Sequence, residues 1–150
     1  MSIGQTPKAL TGLPSYQLTR IAHRYNQTIH AELKAAGLST IATRIIASLK
    51  IFDELTINEL CVHALAEQPT MSRALDRLEA DGLIRRTGKD EDNRKRVVHL
   101  TPEGEALFER IWPVTQAANE AMLEGIPAED REVTMRTLVK VLENIRVHPI

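Results

Sequence analysis

Two groups of basic and hydroxyl side chains have the types and the spacing to bind a polyanion. In the first group, three side chains recur at i, i+3 and i+7 with a serine beside them: Thr70, Ser72, Arg73 and Arg77. In the second group, three basic residues are consecutive: Arg94, Lys95 and Arg96. A guanidinium group can bind guanine through two hydrogen bonds, and hydroxyl groups reach phosphates or base edges. Both groups therefore suggest recognition of nucleic acid.

The first group requires a helix that presents it to solvent. Apolar residues between Met71 and Leu78 recur at helical spacing, and Pro69 and Gly82 are typical of a helix start and a helix end. This periodicity predicts a helix whose apolar face is buried. The basic and hydroxyl residues of the first group then form one outward stripe.

An ordinary solvated helix face accounts for the same charges. Arg73 can pair with Asp76, and Arg77 can pair with Asp81. Such pairs stabilise a helix by only about 0.2–0.5 kcal/mol each, so they can form in the free protein and still yield to phosphate. The helix alone leaves both interpretations open.

The second group lies at the tip of a predicted β-hairpin. Two short strands, Leu83–Thr87 and Arg96–Leu100, flank the polar stretch GKDEDNRK, whose Gly, Asp and Asn residues favour turns. Arginine at such a tip can enter a minor groove, and we expect Asp92 to orient Arg94. A calcium loop is not predicted, because the EF-hand glycine and distal glutamate are absent.

These elements follow one another in the order of a winged helix-turn-helix. Thr56 and Glu59 have the spacing of a capping box, which predicts a short helix through about Ala64. Two short helices, a tight turn and a charged hairpin then occupy residues 56–101. The second helix of such a unit enters the major groove.

Longer helices are predicted on both sides of this unit. One ends at Gly37, a second begins at Ser39, and others cover about Thr101–Glu124 and Glu129–Val147. The predicted fold class is mainly α with a small antiparallel β-wing. A chain of 150 residues with 43% hydrophobic and 26% charged residues is expected to form a single domain.

Charge and cysteine content set limits on function. The net charge of −1 does not by itself favour nucleic acid, but residues 1–50 carry six basic residues and one acidic residue, whereas residues 102–150 are acidic. The single cysteine, Cys61, cannot form an internal disulfide, and we interpret it as a packing residue rather than a redox sensor. No membrane span or signal peptide is predicted, so we expect a cytoplasmic protein.

Enzyme, cofactor and metal chemistry lack support in the sequence. There is no Gly-rich phosphate loop, G-x-S-x-G or H-E-x-x-H motif, and His23 and His30 have no carboxylate or cysteine at ligand spacing. We therefore predict no enzyme activity, no cofactor and no metal. The alternative to DNA binding is a winged helix used only for protein contacts, which salt-dependent DNA binding would distinguish.

Three stretches of the chain resemble the MarR family of bacterial regulators: LTINEL, SRALDRLEADGLIRR and DEDNRKRVVHLTPEGEALFERI. The D-x-R wing motif of the family falls on Asp92 and Arg94, and its LT-x-x-G motif begins at Leu100 and ends at Gly104. Leu65 departs from the pattern, because many members have glycine in this turn.

The resemblance implies a homodimer that represses transcription from an inverted-repeat operator. Terminal segments of about 10–37 and 102–150 would form the dimerisation helices, and residues 38–101 the DNA-binding lobe. The two recognition helices would enter successive major grooves roughly 34 Å apart. The residues that we expect at the dimer interface are Ile21, Leu138, Val141, Leu142 and Ile145.

The resemblance also implies a small aromatic or phenolic effector between the dimerisation helices and the DNA-binding lobe. The residues that we expect to line this crevice are Tyr16, His23, Ile45 and Leu49. Such a ligand would act by binding one spacing of the two lobes better than the other.

Overall fold

The computed structural model describes residues 8–88 and 96–147, in which helices predominate and three short strands form one sheet. The predicted fold class is therefore confirmed. The helices are α1 (Lys8–Thr11), α2 (Pro14–Ala35), α3 (Thr40–Phe52), α4 (Ile57–His63), α5 (Gln68–Ala80), α6 (Pro102–Met122) and α7 (Ala128–Ile145). The strands are β1 (Glu54–Thr56), β2 (Ile84–Thr87) and β3 (Val97–Leu100).

Helix α3 lies at the centre of the core. Its residues Ile45, Ile46 and Leu49 are buried, and the helix packs against α2, α4, α5 and α6. The apolar face predicted for α5 is buried in the same cluster, through Met71 and Leu75 among others. The hydrophobic periodicity therefore predicts the buried face of α5 correctly, because the apolar residues of an amphipathic helix pack against the core.

The three strands form an antiparallel sheet in the order β1-β3-β2. Strands β2 and β3 are the predicted hairpin, with Arg85 opposite His99. Strand β1 was not predicted, and it pairs with the other edge of β3, placing Glu54 opposite His99. Its three residues are too few to show a period of two, so this pairing becomes visible only in three dimensions.

The junction between the sheet and α6 is close-packed. The Thr101 hydroxyl accepts a hydrogen bond from the Gly104 N–H at 3.1 Å and donates one to the Gly82 carbonyl at 2.6 Å. The Thr101 N–H also donates to the Leu83 carbonyl, at 3.1 Å. The threonine and glycine of the LT-x-x-G motif thus fasten the first turn of α6 to the end of the α5–β2 connection.

The turn between α4 and α5 contains a leucine in a conformation that favours glycine. Leu65 has φ 55°, and 73% of the residue is exposed. Left-handed backbone costs a residue with a Cβ about 1–2 kcal/mol. This is the position where the resemblance indicates a departure from the usual glycine.

Replacing Leu65 by glycine should therefore stabilise the fold. We expect Leu65→Gly to raise the free energy of unfolding by about 0.5–1 kcal/mol, since relief of strain exceeds the entropy that glycine adds to the unfolded chain. Urea denaturation measures the difference. Leu65→Ala is the control, because it removes the same exposed surface and keeps the Cβ; an equal gain in both variants would contradict the strain argument.

No single helix in the described ranges is long and apolar enough to cross a membrane. Helices α2 and α3 reach that length and composition only when taken as a pair, and the pair is bent by 89°.

Candidate nucleic-acid interface

Helix α5 presents the first predicted group to solvent. Thr70, Ser72, Arg73 and Arg77 are all exposed, opposite the face that enters the core. The side chain of Arg77 is 81% exposed. This exposed stripe has the size and residue types of a helix that reads a major groove.

Of the two ion pairs predicted for these arginines, only one forms. Arg77 lies 4.0 Å from the Asp81 carboxylate, as the solvated-face interpretation predicts. Arg73 instead donates from Nε to the Pro69 carbonyl at 3.3 Å. Because exposed pairs of this kind are worth less than about 1 kcal/mol, neither contact prevents a phosphate or a base from binding these guanidinium groups.

Arg86 of β2 joins α5 to the sheet, and sequence reasoning missed this contact. Its Nη2 lies 2.6 Å from the Asp76 carboxylate and 2.7 Å from that of Glu79, and its Nε donates to Glu79 at 2.9 Å. The Glu79 carboxylate also accepts the Arg86 backbone N–H at 3.2 Å. The contact fixes α5 against β2 and offsets one of the two negative charges beside the exposed stripe. The available signal was the i, i+3 spacing of two carboxylates.

Protonation of Glu79 should weaken this contact. The hydrogen bond from the Arg86 side chain holds the pKa of the Glu79 carboxyl below its ordinary value of 4.5. The contact therefore contributes stability above that pH and loses it as the pH falls through the lowered value.

We expect Glu79→Gln to unfold at lower urea than the wild type near neutral pH. The difference should disappear in acid, because the wild-type carboxyl is then protonated. Urea denaturation across this pH range measures it, with Glu103→Gln as a control on an exposed carboxylate of α6. A difference that persists unchanged in acid would show that the Glu79 charge does not stabilise the contact.

A polar groove lies where the starts of α4 and α5 approach the sheet. Its volume is about 410 Å³, and its lining includes Ser72 from the first predicted group, Arg96 from the second and the unpredicted Arg86. The structure thus brings one residue of each predicted group, Ser72 and Arg96, to the same groove. Asp92, Arg94 and Lys95 lie outside the described residues, so their role remains a prediction.

An apolar cleft lies between α2, α3 and α6, and its lining differs from the residues predicted for the effector crevice. The cleft is lined by Tyr25, Ile29, Leu33, Thr40, Thr43, Arg44, Ala47, Phe108, Ile111, Trp112 and Thr115. Tyr16, His23, Ile45 and Leu49 are absent from this lining. Ile45 and Leu49 point into the core, 0% and 1% exposed, because α3 turns its most apolar face inward and gives the cleft the adjacent face.

His23 belongs instead to a polar groove beside the cleft. This groove is also lined by Asn26, Gln27, His30, Thr40 and Arg44. His23 and His30 thus lie on the same side of α2, and no group of three metal-ligating side chains is found in the described ranges.

Cys61 is partly buried in α4 and packs against the core. Burial raises the pKa of its thiol, so the reactive thiolate is disfavoured. This environment is that of a packing residue.

The terminal helices carry an apolar surface that no residue in the described ranges covers. No residue of α7 is buried, although the helix has 18 residues. Ile21, Leu138, Leu142 and Ile145 are exposed, and Val141 is half-buried. A two-turn apolar face on a soluble helix normally packs against another surface.

Comparisons with known proteins agree with this geometry. The MarR family sequence model matches residues 36–95. A solved MarR family regulator from Silicibacter pomeroyi is 42% identical, covers 100% of both chains and superposes with a TM-score of 0.87. The HTH-type transcriptional repressor IacR of Pseudomonas putida is 29% identical over 132 residues, which are 88% of this chain and 79% of IacR.

A third relative has been solved with a ligand. This MarR family protein from Mycobacterium tuberculosis, in complex with salicylic acid, is 26% identical with a TM-score of 0.70 and covers 86% of this chain and 96% of its own. The winged helix-turn-helix geometry, its exposed arginine stripe and these similarities lead to one identification: the chain belongs to the MarR family of DNA-binding transcriptional regulators.

Proposed function

We propose that the protein is a homodimeric repressor that binds an inverted-repeat operator through α5 and the wing. The observation that carries the proposal is the exposed stripe of Thr70, Arg73 and Arg77 on a helix fixed to the sheet by Arg86. A rigid support matters because side chains discriminate bases only when the helix keeps its angle in the groove. The name of the IacR relative supports repression.

The exposed apolar face of the terminal helices supports the dimer. Leu138, Leu142 and Ile145 on α7 and Ile21 on α2 would be covered by the same residues of a second copy, as two-fold symmetry requires. Two recognition helices related by that symmetry would read half-sites about one helical turn apart. In this arrangement the terminal helices form the dimer, and residues 38–101 bind DNA.

Selection from random duplex DNA at two salt concentrations tests the function. We expect a palindrome whose half-sites lie about one turn, roughly 34 Å, apart, and binding that weakens as salt rises. No enrichment at low salt would overturn the proposal and favour a protein-contact module.

Replacement of single arginines should separate base contacts from phosphate contacts. We expect Arg73→Ala to weaken operator binding about 10–100-fold and to reduce discrimination between operator sequences. Arg94→Ala should weaken binding to all sequences and lower the slope of log affinity against log salt by about 1. Fluorescence anisotropy on selected and scrambled duplexes measures both effects.

Arg136→Ala is a matched control for this experiment. Arg136 is an exposed arginine of α7 whose side chain pairs with Glu132 at 3.5 Å. It lies outside the proposed DNA interface of α5 and the wing. Its removal changes the net charge by the same amount and should leave operator affinity nearly unchanged. Wild-type affinity in both Arg73→Ala and Arg94→Ala would contradict the proposed interface.

We also propose that a small aromatic ligand in the cleft releases the operator. Support comes from the lining of the cleft, where Phe108 and Trp112 stack with ring centroids 5.1 Å apart, and from the salicylic acid bound by the Mycobacterium tuberculosis relative. The ligand would have to bind the DNA-incompetent arrangement better, because equal affinity for both shifts no population. Titration of candidate ligands into the protein–operator complex measures release.

A further inference from the structure

The apolar cleft alone is too small for a typical effector. Its volume is about 90 Å³. Ligand sites generally measure about 300–1,000 Å³, and a dry cavity that holds benzene measures about 150 Å³. The cleft therefore has room for one edge of a planar ring beside Tyr25, Phe108 and Trp112, and the rest of a ligand must lie outside it.

Arg44 stands at the edge of the cleft. The residue is partly buried, and its Nη2 donates to the Asn26 side-chain oxygen at 3.2 Å. Within residues 8–88 and 96–147 it makes no ion pair. A guanidinium group without a carboxylate partner beside an apolar wall favours an anion, which it can bind through two parallel hydrogen bonds.

The polar groove continues on the other side of Arg44. It is shallow and open to solvent, and its remaining lining consists of His23, Asn26, Gln27, His30 and Thr40. Imidazole, carboxamide and hydroxyl groups all donate hydrogen bonds, and none of the lining residues is acidic. The groove therefore suits a second polar or anionic group, and Arg44 and Thr40 line both spaces.

We propose that the effector is an elongated aromatic anion that occupies both spaces. Its ring enters the cleft by one edge, a first carboxylate binds Arg44, and a second anionic group lies in the groove against His23 and His30. The ligand class is thus an aromatic dicarboxylate rather than a simple phenol. This inference rests on the effector-controlled repressor proposed above.

Three compounds test the two-part site in calorimetric titrations of the full-length protein. N-benzoylglutamate carries a ring and two carboxylates, N-benzoylglycine lacks the second carboxylate, and glutarate lacks the ring. We expect N-benzoylglutamate to bind about tenfold more tightly than N-benzoylglycine, as one additional charge-assisted hydrogen bond would give. Glutarate should not bind measurably.

Variants assign each part of the ligand to its residues. Arg44→Gln should weaken both benzoyl compounds about tenfold or more, since each loses the first anion contact. The double variant His23→Gln, His30→Gln should bind both benzoyl compounds equally. Lys34→Gln is the matched control, because it removes a charge from an exposed position of α2 outside both spaces. Thermal unfolding verifies that each variant is folded.

The outcomes separate this inference from the proposed function. Equal affinities of the two benzoyl compounds for the wild type, or no binding of either, would overturn the two-part site. If the double histidine variant still bound N-benzoylglutamate more tightly than N-benzoylglycine, the role of the groove would be overturned. Operator affinity without ligand is measured separately, so a protein that binds the ligands as expected but no operator would support the site and contradict the repressor.

Discussion

Gly104→Ala should be the most destabilising single-methyl change in the described part of the chain. A Cβ added at Gly104 would lie 2.1 Å from the Leu83 carbonyl oxygen and 3.1 Å from a methyl group of Leu100. The oxygen belongs to backbone that also accepts the Thr101 N–H, so it cannot move without loss of that bond. We expect the free energy of unfolding to fall by about 3–5 kcal/mol, a large share of a typical domain's stability.

Thermal unfolding measures this effect as a fall in Tm of roughly 10–15 °C. Glu103→Ala is the neighbouring control, since Glu103 is exposed in the same helical turn and its removal should change Tm little. Gly125→Ala gives a second comparison, because Gly125 has φ 75° but nothing within 4 Å of the added Cβ. If Gly104→Ala were no worse than Gly125→Ala, the clash with the Leu83 carbonyl would not explain the glycine at position 104.

Leu142→Asp should give the largest loss of DNA binding. Leu142 is 61% exposed in the protomer, so aspartate there is harmless to the isolated chain. In the proposed dimer the same position is covered in both copies, and each carboxylate would lose its hydration without gaining a partner. We expect the dissociation constant of the dimer to rise at least about 100-fold, with a similar loss of operator affinity.

Analytical ultracentrifugation and operator anisotropy measure these two quantities on the same samples. Ile51→Asp is the matched control, because Ile51 is 65% exposed and lies on α3, outside the terminal helices. It should remain dimeric and bind the operator. A dimeric Leu142→Asp protein with unchanged affinity would remove α7 from the proposed interface.

The sequence predicts most of the fold because its signals are local. Periodicity identifies α5, and the Thr56–Glu59 capping box is present, with the Thr56 side chain and the Glu59 side chain each bonded to the other's backbone N–H. The polar GKDEDNRK stretch separates β2 from β3, and turn residues of this kind act over a few positions. Such features need no knowledge of distant residues.

The remaining features depend on contacts between distant residues. Arg86 and Asp76 are ten positions apart and meet only because β2 packs against α5. Three-residue β1 exists because it pairs with β3. Ile45 and Leu49 were assigned to a ligand crevice because apolar residues suit both a core and a pocket, and only the packing of α3 shows that they belong to the core.

The fastening of α6 at Gly104 couples any movement of that helix to the sheet and to α5. Its first turn is fixed to the backbone of residues 82 and 83, and Phe108, Ile111 and Trp112 farther along the same rod form one wall of the cleft. Seven residues, or about 10 Å of helix, separate Gly104 from Ile111. A ligand that tilts this wall would therefore tilt the sheet and α5 with it. No additional mobile segment would be needed to transmit the effect of ligand binding to the DNA-binding helix.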